Sequence, residues 1–222
     1  MPSADWIACG DVHNSTAKLE KITELKEVDG VIVSGDLTFA GGKTAAQKVL
    51  AAIERFAPVR AAQIGNMDRP EVTELLEEKG VNLHGRAIKL NPSVTLIGVG
   101  GSNKTPFGTP SEFSEEEIAR LLDEALAQAG AYDHLVLIAH APPLNTACDL
   151  LTGGGHAGSR AVRDFIEKVQ PDLCICGHIH EARGMDMLAG TPVINPGALA
   201  DGGYVKITLK NGVLEAALLL TE

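Results

Sequence analysis

Five times in this chain a short apolar run ends at a Gly or polar step and gives way to a loop or to a segment with helical spacing. Residues 6–9 release Gly10-Asp11-Val12-His13, and 31–33 release Ser34-Gly35-Asp36. Residues 59–64 release Gly65-Asn66-Met67-Asp68, 135–139 release His140-Ala141-Pro142-Pro143, and 173–176 release Gly177-His178-Ile179-His180. Apolar runs of this length, alternating with amphipathic helices, read as buried strands of an α/β fold. Ligands of such sheets bind beyond the carboxyl ends of the strands, so these five steps fall where a site belongs.

The intervening segments carry ordinary helix punctuation. Ser15 is placed to cap a helix with Leu19, Ile22, Leu25 and Val28 on its inner face. A second helix buries Ala46, Val49, Leu50, Ile53 and Ala57 and is stopped by Pro58. Pro70 occupies a first helical position ahead of Val72, Leu75 and Leu76, and Gly80 closes that helix. Residues 81–90 and 93–99 read as strands joined by an Asn91-Pro92 turn, and 101–111 as a loop. Ser114 and Glu117 form a capping box before Ile118, Leu121, Leu122, Ala125 and Leu126. A Gly-rich stretch at 153–158 precedes a helix that starts at Ser159 and ends at Pro171. The tail from 192 to 220 reads as short strands with turns at 195–197, 202–203 and 211–212.

Asp11, His13, Asp36, Asn66, His140, His178 and His180 are thereby expected to converge on one crevice. Each has an ordinary reading alone: Asp11 or Asp36 as a cap, Asn66 as an Asx turn, His140 as a core histidine. Their arrival at five separate strand ends favours a shared site. Extended chain alternates its faces, so His178 and His180 can point the same way, and imidazole is a common ligand for transition metals.

With 222 residues and 45% hydrophobic content, the chain can bury a substantial core and reads as one domain, 1–222. No basic-then-apolar leader and no apolar run of membrane length is visible, which points to a cytoplasmic protein. Cys9, Cys174 and Cys176 lie in apolar runs, and these three together with Cys148 read as reduced thiols. The formal net charge of −10 and the lack of a basic stripe argue against nucleic acid as main partner. Any phosphate chemistry must draw its positive charge locally.

The blocks Asp11-Val12-His13, Gly35-Asp36, Gly65-Asn66-Met67-Asp68, His140-Ala141-Pro142 and Gly177-His178-Ile179-His180 stand in the order found in the calcineurin-like metallophosphoesterase superfamily, which this chain resembles. The resemblance implies a four-layer α-β-β-α sandwich, two mixed β-sheets flanked by helices. It implies one metal held by Asp11, His13, Asp36 and His180, and another by Asp36, Asn66, His140 and His178, with the two oxygens of Asp36 bridging. Two divalent cations about 3.5–4 Å apart would clamp a phosphate and acidify a bridging water, so the nucleophile is hydroxide. Mixed nitrogen and oxygen ligands suit manganese, iron, nickel, cobalt or zinc.

One position departs from the pattern. Where many members carry a His that donates to the phosphate or the departing oxygen, this chain has Met67, and a thioether has no proton to give. The expected activity is therefore hydrolysis of small phosphodiesters with acidic leaving groups. His156, in the Gly-rich stretch, is a speculative replacement acid, with an exposed loop histidine as the other reading. Asp68 is expected to orient a neighbour rather than act directly. His84 and His134 read as structural or surface residues, and Phe107 as a packed loop anchor rather than a pocket wall. Two other functions share the resemblance. Some relatives, the retromer scaffold subunit among them, keep the fold as a binding platform after losing metal ligands, whereas all seven positions are filled here. The repair nucleases add domains and basic surface that this acidic chain lacks. A homo-oligomer is compatible with the sequence.

Overall fold

Strand β1 (Ala4–Cys9) shows how the layers arise: Ile7 and Cys9 pack into one apolar cluster while Trp6 and Ala8 pack into another. Both faces are covered, as the near-continuous apolar runs require. The computed structural model describes residues 3–221. The other strands are β2 (Gly30–Val33), β3 (Val59–Ala62), β4 (Arg86–Lys89), β5 (Val94–Val99), β6 (Ser102–Asn103), β7 (Glu112–Phe113), β8 (His134–Ala139), β9 (Leu173–Ile175), β10 (Gly184–Leu188), β11 (Thr191–Asn195), β12 (Gly203–Lys210) and β13 (Val213–Leu220). The helices are α1 (Lys43–Glu54), α2 (Glu71–Glu78), α3 (Glu115–Gln128) and α4 (Arg160–Val169).

Five strands form one mixed sheet in the order β13-β12-β1-β2-β3, and six form another in the order β10-β11-β9-β8-β5-β4. Within them β1, β2 and β3 are parallel neighbours, as are β5, β8, β9 and β11. Helices α1 and α2 cover the outer face of the first sheet through Leu50, Ile53, Val72 and Leu76. Helices α3 and α4 cover the second through Ile118, Leu122, Val162 and Ile166. Trp6, Ile32, Leu96, Val136, Ile138, Ile175 and Ile207 fill the space between the sheets. This is the expected four-layer α-β-β-α sandwich. The capping box at Ser114 and Glu117 is formed, Ser159 caps α4, and all four cysteines are buried free thiols.

Several local expectations are corrected. The segment after Ser15 is two 3₁₀ turns, Ala17–Lys21 and Thr23–Lys26, with no side-chain cap at either start. Its apolar residues Leu19, Ile22, Leu25 and Val28 recur every third position. That is the 3₁₀ period rather than the α period, and Leu19, Ile22 and Leu25 bond along it in i→i−3 steps. Pro70, by contrast, has helical dihedrals, φ −52° and ψ −33°, directly ahead of α2, as expected of a first helical position. Residues 81–85 do not join a strand, because Gly85 turns at φ 67° and Asn82 and His84 make only isolated bridges. The strands expected over 59–64 and 173–176 end at Ala62 and Ile175. The loop 101–111 begins with β6, which pairs with β7, and β10 was not anticipated.

Ile138 is wholly buried between the sheets, so Ile138→Ala should cost about 2–5 kcal/mol. The check is urea denaturation followed by the emission of Trp6, the single tryptophan, which sits in the same layer.

Candidate metal centre

The carboxyl ends of β1, β2 and β3 meet those of β8 and β9 at one rim of the sandwich. The first sheet supplies Asp11 and His13 after β1, Asp36 after β2 and Asn66 after β3; the second supplies His140 after β8 and His178 and His180 after β9. All seven side chains come together there. His180 Nε2 lies 3.1 Å from Asp11 Oδ1 and 3.3 Å from His13 Nε2. Asn66 Oδ1 lies 3.1 Å from His140 Nε2 and 2.8 Å from His178 Nδ1. Asp36 Oδ2 joins the groups, 3.6 Å from His13 Nε2 and 3.4 Å from His140 Nε2. The other Asp36 oxygen, Oδ1, accepts the backbone N–H of Met67 at 2.7 Å. Asp36 Oδ2 is thus placed between the two groups.

Local backbone geometry aims these groups. Asp11, His13, Asp36 and His178 all adopt positive φ, between 46° and 67°, a region that side chains other than Gly rarely visit. Such conformations cluster at functional sites because surrounding bonds over-determine them. Gly177 is required by close approach, since a Cβ there would overlap Asp11 Oδ2.

Partners outside the cluster fix which atom points inward. His140 Nδ1 lies 3.2 Å from the carbonyl of Ser34, so donating there turns Nε2 toward Asp36 and Asn66, where it can ligate once it gives up its proton. Asn66 Nδ2 donates to Thr109 Oγ1 at 3.1 Å, which turns its oxygen to the two histidines. Thr109 in turn donates to Glu112 Oε1 at 2.7 Å. The buried Asp68 takes the N–H groups of Leu37, Thr38 and Gly65 and the Thr38 hydroxyl, tying the β2 and β3 loops together. Burial beside Asp36 pushes its carboxyl up to about 6.

The electrostatics show a site short of positive charge. Asp11 and Asp36 are almost fully buried, and among the described residues their only ion-pair partners are histidines. Burial alone would raise the Asp11 carboxyl; the hydrogen bond from His180 and the charge of His140 outweigh it and hold it below the usual range. Burial likewise works against protonation of His140, yet Asp36 lifts it to about 9. His178, desolvated and facing His140, falls to about 4. Two buried carboxylates with no Lys or Arg beside them, and imidazole and amide acceptor atoms aimed at the same points, fit a divalent cation.

Other residues singled out from the sequence fall outside the centre. His156 Nδ1 is held 2.6 Å from the buried Asp149, and it does not line the central cavity. His84 accepts the Gly100 N–H and stacks on Phe113, while His134 pairs with Asp172. Phe107 is corrected: it is 84% exposed, not packed, and lines the roughly 500 Å³ cavity over the centre with Phe39 and Met67. Glu112 was not found by sequence reasoning; Thr109 lies in the flagged 101–111 loop and Ser34 opens the Ser34-Gly35-Asp36 step, but nothing in the sequence marks either as the partner of a ligand.

Among the described residues no helix is long and apolar enough to cross a membrane. A Methanocaldococcus jannaschii protein, MJ1162, is 36% identical over 180 residues, covering 79% of this chain and 80% of its own. In fold, TT1561 of Thermus thermophilus superposes with a TM-score of 0.73 at 20% identity, covering 97% of this chain and 99% of that one. The phosphopantetheinyl hydrolase of Mycobacterium tuberculosis gives 0.62 at 16% identity, covering 87% and 89%. The calcineurin-like phosphoesterase superfamily domain matches residues 5–210, nearly the whole chain. On that match, and with candidate metal ligands gathered at its strand ends, the chain belongs to the calcineurin-like phosphoesterase superfamily, a metal-dependent family.

Proposed function

We propose that this chain is a cytoplasmic, dinuclear-metal-dependent phosphodiesterase that hydrolyses small phosphodiesters. The observation that supports it is the pair of ligand groups sharing Asp36 Oδ2: Asp11, His13 and His180 on one side, Asn66, His140 and His178 on the other. Divalent cations, if held by these residues, would supply positive charge for the phosphate and lower the pKa of an attacking water. Manganese, iron, nickel, cobalt and zinc all suit this ligand set.

The chain's own residues set the substrate preference. Met67 lines the cavity and offers its thioether where a proton donor would serve the departing oxygen. Apart from the proposed ligands, no described residue lining the cavity is an acid or base that titrates near neutral pH. The departing oxygen therefore leaves without a proton from this wall. That favours diesters of acidic alcohols over ordinary alkyl monoesters.

Asn66 binds through its oxygen only while Thr109 holds its amide nitrogen, and Glu112 holds Thr109. Partners of this kind typically govern metal affinity by about 10–100-fold. Thr109→Val should weaken manganese binding by about that factor in a chelator competition; unaltered affinity would show that Asn66 is oriented by other means. For the reaction itself, metal-stripped protein should regain aryl phosphodiester hydrolysis on adding manganese. In the same assay Met67→His should raise the monoester rate relative to the diester rate at least about tenfold. An unchanged ratio would refute the role given to Met67.

A further inference from the structure

Aromatic residues are scarce in this chain, and only five are Phe. Three of these pack against the cores: Phe56, Phe113 and Phe165. The other two, Phe39 and Phe107, are 66% and 84% exposed, and both line the cavity above the ligand cluster. Leaving a large aromatic face in water forgoes burial, so two of them at one mouth mark a surface that something covers.

Neither ring hangs on a loose tether. The backbone on both sides of Phe39 is fixed, by Thr38 donating N–H and hydroxyl to Asp68 and by Ala40 donating to the Met67 carbonyl. Its ring meets His13 edge-on, centroids 5.9 Å apart. The Phe107 N–H donates to Thr105 Oγ1 at 3.2 Å, and Glu112 accepts from the Thr105 hydroxyl as well as from Thr109. Those bonds hold the Glu112 carboxyl at about 2, against its own partial burial, so the clamp stays ionised at neutral pH. The loop displaying Phe107 is thus the same loop that orients Asn66.

The remaining wall chemistry narrows the occupant. Met67 and Pro110 add apolar surface, and no described Lys or Arg lines the cavity, so nothing there pairs with a second anionic group. The volume, about 500 Å³, lies in the range of small-molecule pockets, roughly 300–1,000 Å³. We propose that Phe39 and Phe107 form a specificity subsite that takes an uncharged aromatic ring, aryl or nucleobase, carried on the phosphate ester. This rests on the phosphodiesterase reading and names the substrate class for that same site.

The experiment compares methyl phenyl phosphate with methyl hexafluoroisopropyl phosphate, whose leaving alcohols are of similar acidity but of which only one is aromatic, using the manganese-loaded protein. The ratio of kcat/KM should favour the phenyl ester and fall about tenfold in Phe39→Ala and in Phe107→Ala. Phe107→Trp should keep the preference and Phe107→Leu should lose it, which separates aromaticity from bulk. A ratio unmoved by these variants would overturn the subsite while leaving the phosphodiesterase reading intact. Hydrolysis of neither ester would refute that reading, and calorimetry would then decide the subsite. Phenylphosphonate or adenosine 5′-methylphosphonate binding more tightly than isopropylphosphonate, with the margin lost in the Phe variants, supports it and shows which ring is preferred. Equal binding of all three overturns it.

Discussion

The centre depends on a short ladder of backbone hydrogen bonds between the loops after β1 and β2. Asp11 N–H donates to the Gly35 carbonyl, Val12 and His13 both donate to that of Asp36, and Asn14 donates to that of Leu37. Asp11, His13, Asn14 and Asp36 sit in the left-handed region, each at a cost of order 1–3 kcal/mol. The ladder offsets that cost and leaves no room for a regular helix start after β1. Aiming two buried carboxylates at one point thus requires an irregular segment, and 3₁₀ turns stand where an α-helix was expected.

The same rim is where the two sheets are tied together. Gln63, just past β3, sends its amide nitrogen toward the carbonyls of Ser34, Val99 and Ile138 at 3.0–3.3 Å, reaching loops and strands of both sheets. Ser34 is also the residue whose carbonyl faces His140 Nδ1. The polar layer beneath the ligands therefore joins inter-sheet packing to ligand orientation. Burial of that layer is what gives the carboxylates their electrostatic demand for a cation, since among the described residues the ion-pair partners of Asp11 and Asp36 are all imidazoles.

Much of this is legible in the chain. Buried parallel strands show as apolar runs, and residues at their ends need no tertiary information to be placed on one edge, so the seven ligand candidates can be named without their geometry. The illegible part depends on contacts between distant segments. Thr109 meets Asn66 across 43 residues of sequence, and Gln63 meets Ile138 across 75. Nothing in either neighbourhood announces the partner. The exposure of Phe107 escapes a sequence reading because an apolar residue in a loop ordinarily packs. Here Thr105 and Glu112 hold its backbone outward instead. The 3₁₀ turns escape it when a period is taken as 3.6 although the apolar spacing is 3.

The proposal that Asp36 would serve two metal positions rests on its place between the two ligand groups. Its most direct test is the stoichiometry of manganese bound by the stripped protein at equilibrium, by elemental analysis after dialysis, for the native chain and for Asp36→Asn. Two ions per native chain and at most one tightly held in the variant is the predicted result. A single ion per native chain, or two in both proteins with equal affinity, would contradict it.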